Sequence, residues 1–360
     1  MTISRSDEAG FSLIELLVAT LLLVTVGMLV FEVASQGLRI ARARPEASDL
    51  HQRLRVAVEM IRSDLLAAGA GLPHGDHAGP LVQWFAPLVP ARTGAIRADP
   101  DLTAFTDRLS LFYVPEGGWV TRLAADALDP GGPLLVDTGT ACPPAGLCGF
   151  TEGSRAAVID RAAIAAGSDF FTVTGIAGGL SHGPSNPPFS RPYAAATSVV
   201  VPMVQRVYYL DRGQSRLMLY DGHVTDVPLV DNVTDLAFAY YATPSPYDVP
   251  RPSEGDDSCL FAGSPPVPLL PDLGIGSVRL LGLTELQDGP VCGSGTGRFD
   301  ADLLRIRQVR VTLRLDVAAA DLRTRSAAFR RAGTSPGAES VVADYEVTFD
   351  VSPRNLSPVR

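Results

Sequence analysis

Gly10-Phe11-Ser12-Leu13-Ile14-Glu15-Leu16-Leu17-Val18-Ala19-Thr20 opens an apolar run that reaches Phe31, interrupted only by Ser12, Glu15, Thr20, Thr25 and Gly27. Roughly 20 residues at ~1.5 Å of rise each cross a hydrocarbon core of ~30 Å, so residues 11–31 are expected to form a membrane-spanning helix. Glu15 lies near its start. A carboxylate at the centre of such a helix costs about 2.5–3.5 kcal/mol on insertion scales, so an acid here calls for an opposite charge or a place among the headgroups. An ordinary signal anchor with Glu15 in the headgroup zone is the plain reading. Assembly with a neighbouring cation is the sharper one, because a buried carboxylate is tolerated once an opposite charge lies within a few ångströms.

After Arg39 the pattern turns amphipathic. Leu50, Leu54, Val58, Ile61 and Leu65 fall on one helical stripe, with Arg53, Arg55, Glu59 and Arg62 on other faces. Asp49 and Arg53 form an i,i+4 pair in the favourable order. Pro45 is expected to kink the rod or split it, and Gly69 and Gly71, with Pro73 beyond, to stop it. An unbroken helix from Phe11 to Ala68 would measure about 87 Å. The expected organisation is a membrane helix at residues 11–31, its amphipathic continuation at 32–71 and a β-rich domain at 72–360.

Past Gly71 the signals are those of strands. Segments 107–114, 169–174, 205–210, 216–220 and 233–241 are rich in β-branched and aromatic residues, and Asp211-Arg212-Gly213-Gln214 reads as a hairpin connection. Val309, Val311, Leu313, Leu315 and Val317 alternate with Arg310, Thr312, Arg314 and Asp316, so one face is buried and the other solvated. Tyr345, Val347, Phe349 and Val351 repeat the pattern, as a last strand of the same sheet. Residues 178–196 and 242–276 are Pro-, Gly- and Ser-rich insertions, long for structureless loops and candidates for contact surface or disorder. The fold class is α+β: a long N-terminal helix, membrane anchor then amphipathic half, packed on a mostly antiparallel β-sheet globular domain with long loops.

The opening motif, with its Gly-Phe junction, its acid four residues later and its apolar tail, resembles the processing signature of type IV prepilins and type II secretion pseudopilins. The resemblance implies that residues 1–10 are a leader and 11–31 a later filament-core helix, that a prepilin peptidase cuts after Gly10, that Phe11 becomes an N-methylated amino terminus, and that Glu15 compensates the free amine of a neighbouring subunit during assembly. Segment 54–69 resembles the helix end of W-type minor pilins and of pseudopilin J. The hairpin, residues 229–238, residues 303–307 and the terminal 352–356 resemble the W type in the same chain order. The implied role is a structural, non-enzymatic minor pilin at fibre initiation or tip, with a J-class pseudopilin as the alternative. Implied partners are the peptidase, other minor and major pilins or pseudopilins, the assembly platform and, before assembly, the bacterial inner membrane. That places a single-pass protein with its C-terminal domain in the periplasm, and later in the fibre. The leader carries Arg5 against Asp7 and Glu8, while Arg39, Arg42 and Arg44 follow the span. A positive-inside count therefore favours the opposite orientation from the cleavage motif, which needs Gly10 on the cytoplasmic side. A single-span anchor carrying a periplasmic ligand-binding or sensor domain is the further alternative, and it leaves Glu15 without a purpose.

With 46% hydrophobic and 19% charged residues the chain has the composition of a folded protein. Its net charge of −9 offers nothing to a nucleic acid, and none is expected as a partner. Every residue counted as Lys or Arg is Arg. Four cysteines allow three connectivities. Cys142–Cys148, closing a Pro-Pro-Ala-Gly loop, and Cys259–Cys292, closing a long Pro-rich insertion, are the favoured pairs. Neither spacing resembles a zinc site, and neither metal nor cofactor is expected.

Other residues invite chemistry weakly. His74 and His77 lie in a Gly/Pro-rich helix exit, better read as a solvated loop than as metal ligands. Ser181-His182 lacks a nucleophile elbow or a nominated acid. Asp256-Asp257 lacks the alternating oxygen spacing of a calcium loop, and Gly293-Ser294-Gly295-Thr296-Gly297 lacks the Lys-Ser/Thr pair of a phosphate loop. Tyr208, Phe238 and Tyr240 read as core. No catalytic residue is nominated.

If the motif is read by a peptidase, the mature chain begins at Phe11. Gly10→Val, which puts a branched side chain at the scissile junction, is expected to leave uncut precursor in the membrane. Mass spectrometry of the N-terminus decides it, and an intact Met1 end on assembled wild-type material sinks the cleavage reading.

Overall fold

The computed structural model describes residues 12–71, 81, 85–116, 118–139, 142–162, 168–183, 188–243, 259–270, 278–293, 298–319, 322–323 and 342–356. Helix α1 spans Leu13–Ala67. The strands that follow are β1 (Leu88–Val89), β2 (Arg108–Tyr113), β3 (Thr121–Arg122), β4 (Arg155–Asp160), β5 (Ser168–Thr172) and β6 (Ser198–Pro202). Next come β7 (Val204–Asp211), β8 (Arg216–Tyr220), β9 (Asp226–Asp231), β10 (Val233–Ala242), β11 (Phe261–Ala262) and β12 (Val267–Pro268). The last are β13 (Arg279–Leu281), β14 (Val291–Cys292), β15 (Phe299–Asp300), β16 (Ile306–Leu315) and β17 (Tyr345–Val351). An N-terminal helix followed by antiparallel sheets makes the protein α+β.

Two compact units divide the chain, Met1–Gln52 with Val317–Asp344, and Arg53–Asp316 with Tyr345–Arg360. The division falls inside α1. In the first unit α1 runs through Pro45 unbroken, so the expected split does not occur. Proline withdraws a single amide donor, and the turns on either side keep theirs. Glu46 accepts from the Ala319 backbone N–H at 3.4 Å, Arg323 Nε donates to the Val317 carbonyl at 2.8 Å, and Val317 and Leu322 are buried.

In the second unit the helix carries its stripe into the interior. Leu54, Ala57, Ile61, Leu65 and Ala68 are buried, while Val58, expected on the stripe, sits half-buried on its flank beside Ala57. Arg55, Glu59 and Arg62 face solvent as expected, but Arg53 does not, since its Nη1 donates to the Asp231 carbonyl of β9 at 2.9 Å. Gly69 ends the helix with φ +74°, a left-handed geometry that glycine adopts without strain, and donates its N–H to the Phe112 carbonyl at 2.9 Å.

Alternation then sorts the first sheet, ordered β1-β2-β7-β8-β9, into two faces. Tyr113 and Tyr208 point to the helix side, where their hydroxyls donate to Asp64 at 3.1 and 2.6 Å. Burial first, then the nearby Asp64 carboxylate, pushes both phenols above their ordinary pKa. Phe112 and Gln205 point the other way, towards a sheet ordered β3-β6-β4-β5. There Phe112 stacks on Phe170 at 4.8 Å and Gln205 Oε1 accepts from Arg155 at 2.8 Å. A remaining sheet, β13-β10-β16-β17, contains the expected alternating strand, with Val309, Val311, Leu313 and Leu315 fully buried. Its solvated face pairs Arg310 with Asp350 at 2.7 Å and Thr312 with Thr348 at 3.2 Å. β17 closes this sheet, with Val311 opposite Phe349.

The insertions are not structureless where they are described. Leu180 pairs with Leu134 and Tyr193 with Ala127 in isolated bridges, and Leu180, Phe189 and Tyr193 are buried in a core with Phe150, Phe171 and Val200. These bridges join segments too short and irregular to show a period. In the second insertion β11 and β12 form a hairpin with Phe261 and Leu270 buried. Disulfides join Cys142 to Cys148 and Cys259 to Cys292.

Asp64→Ala, which strips the acceptor from two tyrosine hydroxyls, is expected to cost about 2–3 kcal/mol, and Tyr208→Phe about 1 kcal/mol. Urea denaturation followed by near-ultraviolet dichroism tests the order, and equal stability of Asp64→Ala and wild type refutes it. Loop closure predicts a larger loss for the Cys259/Cys292 double serine variant, about 3.7 kcal/mol, than for Cys142/Cys148, about 2.3 kcal/mol. The same denaturation compares them, and the reverse order counts against the loop-length account.

Candidate functional site: the apolar head of the long helix

Leu13–Ser35 is a 23-residue segment of mean hydropathy 2.6 with none of its length buried in the protein. By length and composition it can cross a membrane. Leu13, Leu16, Leu21, Leu23, Met28 and Phe31 each expose more than half of their surface. Burial cannot explain so continuous an apolar exterior in a solvated monomer, because patches of this extent mark membrane or protein contact. The hydroxyls inside it are satisfied locally. Thr20, Thr25 and Ser35 donate their hydroxyls to the carbonyls of Leu17, Leu22 and Glu32 at 3.0, 2.9 and 2.8 Å. Each leaves no hydroxyl hydrogen to be satisfied by solvent.

The helix begins with a capping box. Ser12 Oγ accepts from the Ile14 N–H at 3.4 Å, and Glu15 Oε2 accepts from the Ser12 N–H at 3.1 Å. The reciprocal pair satisfies two of the amides that every helix start leaves open, and the carboxylate sits where the helix dipole favours negative charge. Ser12-x-x-Glu15 spells this box in the sequence. Glu15 therefore has a local task as well as any intermolecular one. Gly10 and Phe11, with the rest of the expected leader, lie outside the described residues, so the junction itself has no geometry here.

Elsewhere the structure disperses the sequence's weaker nominations. His182 is buried, its ring 4.1 Å from Phe189 and edge-on to Phe171, and burial pulls its pKa below the ordinary imidazole value. Ser181 beside it is held in a bridge to Gly175. Tyr208, Phe238 and Tyr240 are buried core residues. His74, His77, Asp256, Asp257 and residues 294–297 lie outside the described residues.

Sequence reasoning missed an acidic group, Asp288, Asp300 and Asp302, whose carboxylate oxygens lie within 4.8 Å of one another. Asp300 caps the turn Ala301–Arg305 by accepting from the Asp302 N–H at 2.8 Å, and accepts from the Gly289 N–H at 2.7 Å. Asp302 pairs with the buried Arg305 at 2.7 Å, and burial, opposed by that guanidinium, pushes its pKa up to about 6. Asp300 and Asp302 are two residues apart, and the β14–β15 pairing brings Asp288, twelve residues before Asp300, back to them. The partners of Asp300 and Asp302 account for those two as structural charges.

Compared with protein-family models, with curated proteins and with solved structures, the chain matches none.

Proposed function

We propose that the chain is a structural minor pilin of the W type, processed by a prepilin peptidase and taking part in initiation or the tip of a type IV pilus. The observation that carries the reading is that Gly10-Phe11-Ser12-Leu13-Ile14-Glu15 leads in sequence into a largely apolar, unburied 23-residue segment, Leu13–Ser35. Further along, the same helix buries Leu54, Ala57, Ile61 and Leu65. One helix thus has an apolar head free for lipid or for neighbouring helices, and later turns anchored in a sheet domain. Two disulfides suit an oxidising compartment such as the periplasm. The role is assembly, not catalysis. A type II secretion pseudopilin of the J class has the same requirements of the helix and is the second reading, since the helix end at residues 54–69 resembles both.

In this reading Glu15 does two jobs, capping its own helix and meeting the amine of a neighbouring subunit. The two separate by substitution. Glu15→Gln keeps an oxygen that can cap Ser12 and removes the charge, whereas Glu15→Ala removes both. Both variants are expected to be cleaved, folded and membrane-held, since among the described residues Glu15 bonds only to Ser12. Both are expected to fail to co-purify with pilus or pseudopilus components, because losing one partner of a buried ion pair costs about 3–5 kcal/mol. Normal incorporation of Glu15→Gln beside failure of Glu15→Ala assigns the residue to capping alone and sinks the charge pairing.

A further inference from the structure

Among the described histidines His182 is the most enclosed, with 3% of its surface exposed, while His51 is exposed and His223 half-buried. Its ring lies 4.1 Å from that of Phe189 and 6.2 Å from that of Phe171, against a core that also holds Leu134, Phe150, Leu180 and Tyr193. A proton placed there charges a ring whose neighbours are aromatic and aliphatic in place of water, which is costly.

The segment that carries this ring is tied down at a few points. Leu180 exchanges backbone hydrogen bonds with Leu134 at 2.8 and 3.0 Å, Tyr193 does so with Ala127 at 3.0 and 2.8 Å, and Phe189 donates to the Pro130 carbonyl at 2.9 Å. Leu180 and Tyr193 sit in isolated bridges, outside the strand ladders. Backbone held this way opens locally at lower cost than a ladder strand, so the segment depends on the packing of Leu180, His182, Phe189 and Tyr193.

Burial holds the His182 pKa below the ordinary imidazole value, against the opposing pull of the Gly132 and Pro130 backbone and of Asp169 and Asp129. Both acids are committed elsewhere. Asp169 of β5 accepts from the Ser190 N–H and hydroxyl and from the Tyr193 hydroxyl at 2.7, 2.9 and 2.9 Å, and Asp129 accepts from the Gly131 N–H at 2.9 Å. On the segment itself Arg191 pairs with Asp160 of β4 at 3.1 Å, and burial, then Asp169, pushes the Tyr193 phenol up, so it stays neutral. A histidine whose folded pKa lies below its open-state value contributes stability that is complete above the open-state value and is lost as pH falls through it. We propose that His182 is an acid-sensitive latch: when residues 178–183 and 188–193 lift from the β4–β5 core, protonation of the exposed ring keeps them lifted and leaves Phe171, Phe189 and Tyr193 uncovered. The latch works whatever the apolar head of α1 assembles with.

The test is hydrogen-exchange mass spectrometry of the full chain in detergent micelles, at about pH 7.5 and about pH 5.5 to bracket the ordinary imidazole value, with rates corrected for the intrinsic pH dependence of exchange. Protection of the peptides holding Leu180, Phe189 and Tyr193 is expected to fall about five- to tenfold, since one proton shifts the open population at most about tenfold per pH unit. Peptides of β16 holding Val309, Val311 and Leu313 are expected to keep theirs. Asp302, whose pKa burial pushes up to about 6, cannot mimic the effect, because a raised carboxyl pKa strengthens the fold as pH falls. His182→Phe keeps a ring against Phe189 but cannot titrate, and His182→Gln is a second neutral variant; in either the pH-dependent loss is expected to vanish. Unchanged protection in wild type, an equal loss in β16, or the same selective loss in a folded variant each overturns the proposal. If neither variant folds, carbon–proton NMR of the wild-type ring decides it, a midpoint below the ordinary imidazole value supporting the latch and one at or above it refuting it.

Discussion

Asp64 is the residue on which the sheet unit's layering turns. It sits on a helix whose neighbouring positions, Ile61 and Leu65, are wholly buried, and its two oxygens receive hydroxyls from β2 and β7. Hydrophobic burial attracts a helix to a sheet without specifying its rotation or its axial position. A carboxylate shared by two tyrosines specifies both, because an error of one turn would leave three buried polar groups unsatisfied. Arg206 adds a more distant attraction, with its Nε 4.0 Å from Asp64. Gly69 and its bond to Phe112 then turn the chain away along the same strand, so the helix end and β2 are tied at two successive points.

From that contact the remaining layers follow by strand alternation. With Tyr208 committed to the helix, Gln205 and Val207 must face the opposite side, and with Tyr113 committed, Phe112 must do likewise. Those residues meet β4 and β5, and the gap they leave is a cavity that Arg155 helps to line. Arg92 bridges over part of this face, its guanidinium 4.1 Å from the Tyr209 ring and 2.9 Å from Asp226. Arg155 lies against the same sheet, hydrogen-bonded to the Gln205 amide and attracted by Asp221.

At the other end of the chain's logic stands the apolar head of α1. Its length and composition are those of a segment able to cross a membrane, and its hydroxyls and capping box are satisfied within the helix, with Glu32 as a further acid near its end. The pilin reading proposed above makes the two environments successive, first membrane and then fibre. The capping box tempers one inference from the sequence, since an acid at that position needs no second subunit to be useful.

Periodicity by itself determined a good deal. The apolar run, the stripe through Leu54, Ile61 and Leu65, the strands near residues 108–113, 204–211, 216–220, 233–242, 306–315 and 345–351, and the two cysteine pairs were legible because each depends on neighbours close in sequence or on residue type. Ala57 displaced Val58 on the stripe, since a helix pressed onto a sheet prefers its smallest residue at closest approach. Short strands such as β4 and β6, buried on both faces, carried no alternation to read. The insertion through Phe189 and Tyr193 looked like loop because its buried residues are spaced by bridges to distant segments, not by a period. Only the tertiary structure could set Asp64 between Tyr113 and Tyr208, or lay Gln205 against Arg155. These arrangements join residues tens to more than a hundred positions apart. Local pattern states which face an element buries, and only the fold decides what that face meets.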